Sequence, residues 1–211
     1  MSEVPGMEDM TSQHGWIKMD YDHDRWIPCP PVFNESMTKE VWANGYARIW
    51  WDATGTKFGD RQVRGLEQAL IYAHDSIYGQ QPCHRFLIHL PDARMAPLPV
   101  CFGIWRSVGA REGQLRALVH ADDPISVRPP ILEQVWTEAL GTGLKCLYYQ
   151  KQRNGKDVIG VLNYAWRSDE YETDLHVYSA TSDLGRLEQA MPDIDELTKV
   201  IKIVPRNQKG A

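Results

Sequence analysis

Residues 144–178 read LKCLYYQKQRNGKDVIGVLNYAWRSDEYETDLHVY, and the fold turns on this stretch. Two apolar runs, Leu144–Lys151 and Val158–Arg167, flank Arg153-Asn154-Gly155-Lys156, where Asn-Gly supplies the two positive φ angles of a type I′ hairpin turn. Pairing Arg153 with Lys156 sets Tyr149 opposite Gly160 and Leu147 opposite Leu162. A second turn over Ser168–Tyr171, pairing Arg167 with Glu172, sets Tyr164 opposite Leu175 and Leu162 opposite Val177. The two turns are read independently, yet both place Leu147, Tyr149, Val158, Leu162, Tyr164, Trp166, Leu175 and Val177 on one face. That agreement predicts a three-stranded antiparallel meander.

The opposite face then carries Cys146, Tyr148, Ile159, Val161, Asn163, Asp174, His176 and Tyr178, with Asn163 directly across from His176. Three uses of this mixed face compete. It packs under a second layer of helices, or it meets a partner protein through Tyr148, Asn163, His176 and Tyr178. In the third, it forms a pocket with His176 as general base, Asp174 orienting it and Asn163 positioning a substrate.

Upstream, Val41, Trp42, Gly45, Tyr46, Ile49 and Trp50 follow a helical rhythm after a cap at Ser36 or Thr38. Val63, Leu66, Leu70, Ala73 and Ile77 make a second helical stripe, opened by Asp60 and closed before Gly79. His84–Leu90 reads as a strand; Val100–Ser107 and Gln114–Ala121 read as a hairpin across Gly109 and Gly113. Pro130 then opens a helix Ile131–Leu140 that stops at Gly141. After the meander, Thr181 or Ser182 caps a short helix that Pro192 ends, and Val200–Val204 is a last strand. The expected fold is α+β: an antiparallel sheet of hairpins and meander, with helices mainly on one face. Residues 1–35 form an extended N-terminal arm, 36–204 a single domain and 205–211 a loose tail.

The chain has 211 residues, 43% hydrophobic and 24% charged, which suits one globular domain. Acids outnumber bases 28 to 23, a net charge of −5, so no basic footprint for nucleic acid exists. No window is apolar and long enough for a membrane span, and the N-terminus lacks a basic, then apolar, leader. The four cysteines, Cys29, Cys83, Cys101 and Cys146, stand at irregular intervals with no zinc-like spacing, consistent with reduced thiols in the cytoplasm. Phosphate-loop, zincin, nucleophile-elbow and EF-hand motifs are all missing, and no cofactor is expected.

His120, Asp122 and Asp123 are the residues a divalent cation would recruit, although His120-Ala121-Asp122-Asp123-Pro124 reads first as a polar turn. Asp22-His23-Asp24 reads as a solvated loop, its successive side chains diverging. Tandem Trp50-Trp51 cannot both face one core, so Trp51 meets the arm or another chain. The eight Trp and nine Tyr against four Phe favour interface chemistry. The leading expectation is a non-catalytic cytoplasmic protein-binding module, an adaptor, immunity-type inhibitor or assembly component. The alternative is a small hydrolase-type enzyme using His176 and Asp174. Swapping of the arm between copies offers a route to homo-oligomers.

Overall fold

The computed structural model describes residues 17–30, 32–78, 85–152 and 157–204. Along the chain run β1 (Ile17–Lys18), β2 (Trp26–Cys29), α1 (Lys39–Ala53), α2 (Asp60–Tyr78), β3 (Arg85–His89) and β4 (Leu98–Arg106). They are followed by α3 (Arg111–Leu118), β5 (Ile131–Thr137), β6 (Gly141–Lys151), β7 (Val158–Ser168), β8 (Thr173–Thr181), α4 (Leu184–Lys199) and β9 (Lys202–Ile203). Seven strands form one antiparallel sheet in the order β2-β3-β4-β8-β7-β6-β5, and β1 pairs with β9 in a separate ribbon. The α+β class and the antiparallel sheet are as expected.

The meander lies at the centre of this sheet. Tyr149 pairs with Gly160 and Leu147 with Leu162, as the sequence requires, although residues 153–156 of the connecting turn lie outside the described residues. The second turn differs. Ser168 pairs with Thr173, so Tyr164 faces Val177 rather than Leu175, Leu162 faces Ser179, and Asn163 faces Tyr178 rather than His176. The four-residue loop sits one residue further along than expected, with Glu172 in the left-handed region at φ 47°. Each partner therefore moves by two residues, an even shift that keeps every side chain on its predicted face.

That apolar face buries Leu162, Tyr164, Trp166, Leu175 and Val177 against Leu187, Ala190, Ile194 and Leu197 of α4. Each large side chain removed from water this way contributes about 1.5–3 kcal/mol. A Cβ on Gly160 would lie 2.9 Å from methyls of Leu184 and Leu187, so the bare glycine lets α4 settle onto β7. Asp183 caps this helix, its side chain accepting from the Arg186 amide at 2.9 Å, in place of the expected Thr181 or Ser182. Nor does Pro192 end the helix: it lies on the exposed side, where the carbonyl deprived of its donor meets water while the buried stripe continues to Leu197.

Around Ile194, which enters the core, Asp193 and Asp195 project to opposite flanks of α4 because they are about 200° apart on the helix. Asp193 accepts from Arg25 at 2.6 Å and from His89 Nε2 at 2.8 Å. Asp195 accepts from Lys145 at 2.8 Å and from the Tyr164 hydroxyl at 2.7 Å. Burial pushes His89 down to about 4, so it is neutral, with Arg186 donating to its Nδ1 at 2.9 Å.

Helices α1, α2 and α3 take the other face. Trp42, Tyr46 and Trp50 of α1 and Val63, Leu66 and Leu70 of α2 pack on Ile27, Phe86, Ile88 and Cys101. Thr38 is the α1 cap. Residues 26–29, read with the arm, supply the edge strand β2, because Trp26 and Ile27 alternate into the two cores. Residues 1–16 and 205–211 lie outside the described residues.

Two further expectations are corrected. The partner strand proposed at Gln114–Ala121 is instead α3, since Leu115 and Val119, four apart, are both buried with Leu118 beside them; β4 pairs with β3 and β8. The helix expected over 131–140 is the strand β5, because its apolar residues fit a pleated edge beside β6 as well as they fit a helix. Gly141, at φ 69°, belongs to the turn into β6 and caps no helix.

Candidate functional site

The mixed face of the meander is covered. His176 is 6% exposed and Asn163 1%, and Tyr148 is buried as well, so none of the three presents a partner surface. His176 Nε2 donates to Asn163 Oδ1 at 2.8 Å across the diagonal of the β7–β8 pair. Its ring stacks on Tyr178 with centroids 5.2 Å apart, and Trp105 stands 6.0 Å away. Trp105 reaches this place by folding back over Gly103, where a Cβ would lie 2.0 Å from the indole.

Asp174 does not orient His176. Its carboxylate is fully buried and accepts from Arg167 Nε at 2.7 Å, Arg167 Nη2 at 3.0 Å and Ser107 Oγ at 2.9 Å. Arg167 also donates to the Gly109 and Val108 carbonyls, each at 3.0 Å, so the pair pins the loop that enters α3. Burial, reinforced by nearby His120, pushes His176 down to about 3. Burial thus favours the neutral imidazole over the protonated one that a general base must form. The acid–base pocket thus lacks its expected orienting group, Asp174 being bonded to Arg167 and Ser107.

The His120 cluster also disperses. His120 holds φ 56° at the end of α3, where its amide bonds the Ala117 carbonyl and that of Ala121 bonds the Arg116 carbonyl, a Schellman motif with histidine in the usual glycine place. Asp123 lies 3.3 Å from His120 Nδ1, while Asp122 pairs with Arg116 on the other side. His120 covers the Tyr148 ring at 5.6 Å. Among the described residues no three His, Cys, Asp or Glu side chains converge to hold a metal ion. Trp51 lies in the α1–α2 seam, donating to the Gln62 carbonyl at 3.1 Å and stacking on Phe58, rather than meeting the arm. Asp22 accepts from the Asp24 amide at 2.9 Å, closing a turn in the second acidic cluster.

The exposed chemistry lies at the sheet's margins, which the sequence reading missed. At one margin β2 is short, carries Pro28, and has that residue's carbonyl taken by Trp42 Nε1 at 3.1 Å. Proline and a covering helix are ordinary protections of an edge. At the other margin β5 runs for seven residues with no further strand beside it among the described residues. Its Trp136 is 68% exposed, Ile131 44% and Leu132 37%, and Ile125 and Val127 continue the exposed apolar row upstream. The alternation of Ile131, Glu133 and Val135 against Leu132, Gln134 and Trp136 was the available signal. Against known proteins, the chain matches no family model and no curated relative. No helix among the described residues is long and apolar enough to cross a membrane.

Proposed function

We propose that this protein is a non-catalytic cytoplasmic binding module, of adaptor, inhibitor or assembly type, that takes an extended protein segment as an added strand along β5. The observation that carries this reading is the seven-residue edge, beside which no further strand lies among the described residues, bearing exposed Ile131, Leu132 and Trp136. An edge strand offers a row of backbone donors and acceptors, and alternate side chains beside it supply specificity. Large apolar side chains at such an edge are what soluble monomers avoid. The acidic net charge of −5 argues against nucleic acid as the partner.

The test is panning of a random peptide library on the immobilised chain, with Trp136→Lys as counter-selection. Trp136 is mostly solvent-exposed, so the lysine variant keeps its fold, checked by circular dichroism, while gaining the usual guard of an edge. Enriched peptides should alternate apolar and polar residues and lose binding to the variant. No enrichment above the variant, on a chain that sediments at single-chain mass, overturns the reading.

A further inference from the structure

Resting on that reading, we infer that the segment β5 takes is β5 of a second copy, in an antiparallel pairing centred on Gln134. Pro129 and Pro130 precede the strand and residues 138–140 turn away after it, so the available ladder is 131–137 and Gln134 is its midpoint. A two-fold axis through Gln134 therefore uses every residue of both edges, and a strand is its own partner only about such an axis.

The side chains agree with this register. On the face shared with Asn163, Leu132 meets Trp136 of the second copy on each side of a Gln134–Gln134 pair, which has amide donors and acceptors to exchange. On the other face Ile131 meets Thr137, and Glu133 meets Val135. The two Glu133 side chains are diagonal neighbours, and each already has its own Lys145 at 3.9 Å. Counting the same register past the ladder sets Glu138 of the second copy opposite Pro130, two residues from Arg128, which lies over the Tyr149 ring at 3.9 Å, so opposite charges are sequence neighbours at both ends. Centring the axis on Glu133 would set two carboxylates face to face. Centring it on Val135 would leave Ile131 and Leu132 of each copy without strand partners. The opposite margin, with its proline and its Trp42 cover, is closed to the same pairing.

The experiment is sedimentation velocity on the full chain from about 1 to about 100 µM, a span that covers weak as well as firm interfaces. Its companion is mild oxidation of Gln134→Cys and Leu132→Cys variants made in a Cys83→Ser background. The expected mass approaches twice 24.2 kDa as concentration rises. Gln134→Cys should crosslink to itself, and Leu132→Cys, whose counterpart is Trp136, should not. Arg128→Glu should weaken association several-fold, and adding Glu138→Arg should restore it. Single-chain mass throughout overturns the proposal, as does equal crosslinking at both positions. If the chain stays single while library peptides still bind β5, the binding-module reading stands with a different partner; if neither associates, both fall.

Discussion

Replacing Asp174 with Asn should be among the most damaging single changes in this chain, though it alters one atom. The carboxylate is fully buried and is the anionic partner of Arg167, which is itself 8% exposed. Asparagine keeps the shape, and its Oδ1 can still accept from Ser107 and from Arg167 Nε, but the Nη2 bond and the counter-charge are lost, leaving the guanidinium with neutral oxygens alone. Breaking a buried pair from one side costs about 3–5 kcal/mol, because the remaining ion stays desolvated without its counter-charge. With a urea slope near the upper end of the ordinary range of about 1–3 kcal/mol per molar, the unfolding midpoint should fall by roughly 1–2 M. The assay is equilibrium urea unfolding followed by tryptophan fluorescence, with hydrogen exchange of residues 107–110 as a local readout. The double variant Asp174→Leu/Arg167→Met, which removes both charges, should recover most of the loss. A shift under about 0.5 M for Asp174→Asn at unchanged slope would refute the reasoning, since it would mean water screens the pair.

Two further outcomes follow from the histidines. His89 and His176 are held neutral in the fold, at about 4 and about 3, so the unfolded chain, with ordinary histidines near 6.5, takes up protons first as pH falls. Stability should be level above about pH 6.5 and should decline below it, by about 1.4 kcal/mol per pH unit for each residue at the steepest, until their folded values are passed. Urea midpoints at pH 7, 6 and 5 should show the decline and His176→Gln should remove about half of it, His89 supplying the rest; a level profile would contradict the burial of both rings. His120→Gly should raise the melting temperature by a few degrees, because removing the Cβ relieves about 1–2 kcal/mol of left-handed backbone cost at φ 56°. A drop instead would mean that the ring's contacts with Tyr148 and Asp123 outweigh that relief.

The core of the meander was legible because side-chain alternation survives an even error. Reading Arg167 against Glu172 was wrong by two, yet Leu162 and His176 stayed on their sides. The cause was Glu172, a left-handed position with no glycine or asparagine to announce it. Short segments were not legible in the same way. Leu115, Leu118 and Val119 satisfy a helical spacing, while Leu115, Ala117 and Val119 satisfy a pleated one, and only the surface of β6 and β7 beneath them decides for α3. The run from Ile131 was harder still, since Pro130 and Gly141 bracket it as they would bracket a helix. A helical reading of that run hides the exposed edge, and His176 and Asp174 bond inside the fold, to Asn163 and to Arg167 and Ser107. Fold class depends on many agreeing contacts, whereas a surface depends on which few contacts are left unmade.

The flanking aspartates of α4 also bear on how the chain comes together. Asp193 reaches back to Arg25 and His89, and Asp195 to Lys145 and Tyr164, so the last long helix ties β3 and the residue before β2 to β6 and β7. Contacts across such separations form late and slowly. During synthesis, Leu162, Tyr164, Trp166 and Leu175 have no lid until residues 184–203 have been made. A nascent chain stalled near Asp183 would thus carry a greasy, unroofed sheet, the kind of species that chaperones engage and that aggregates without them.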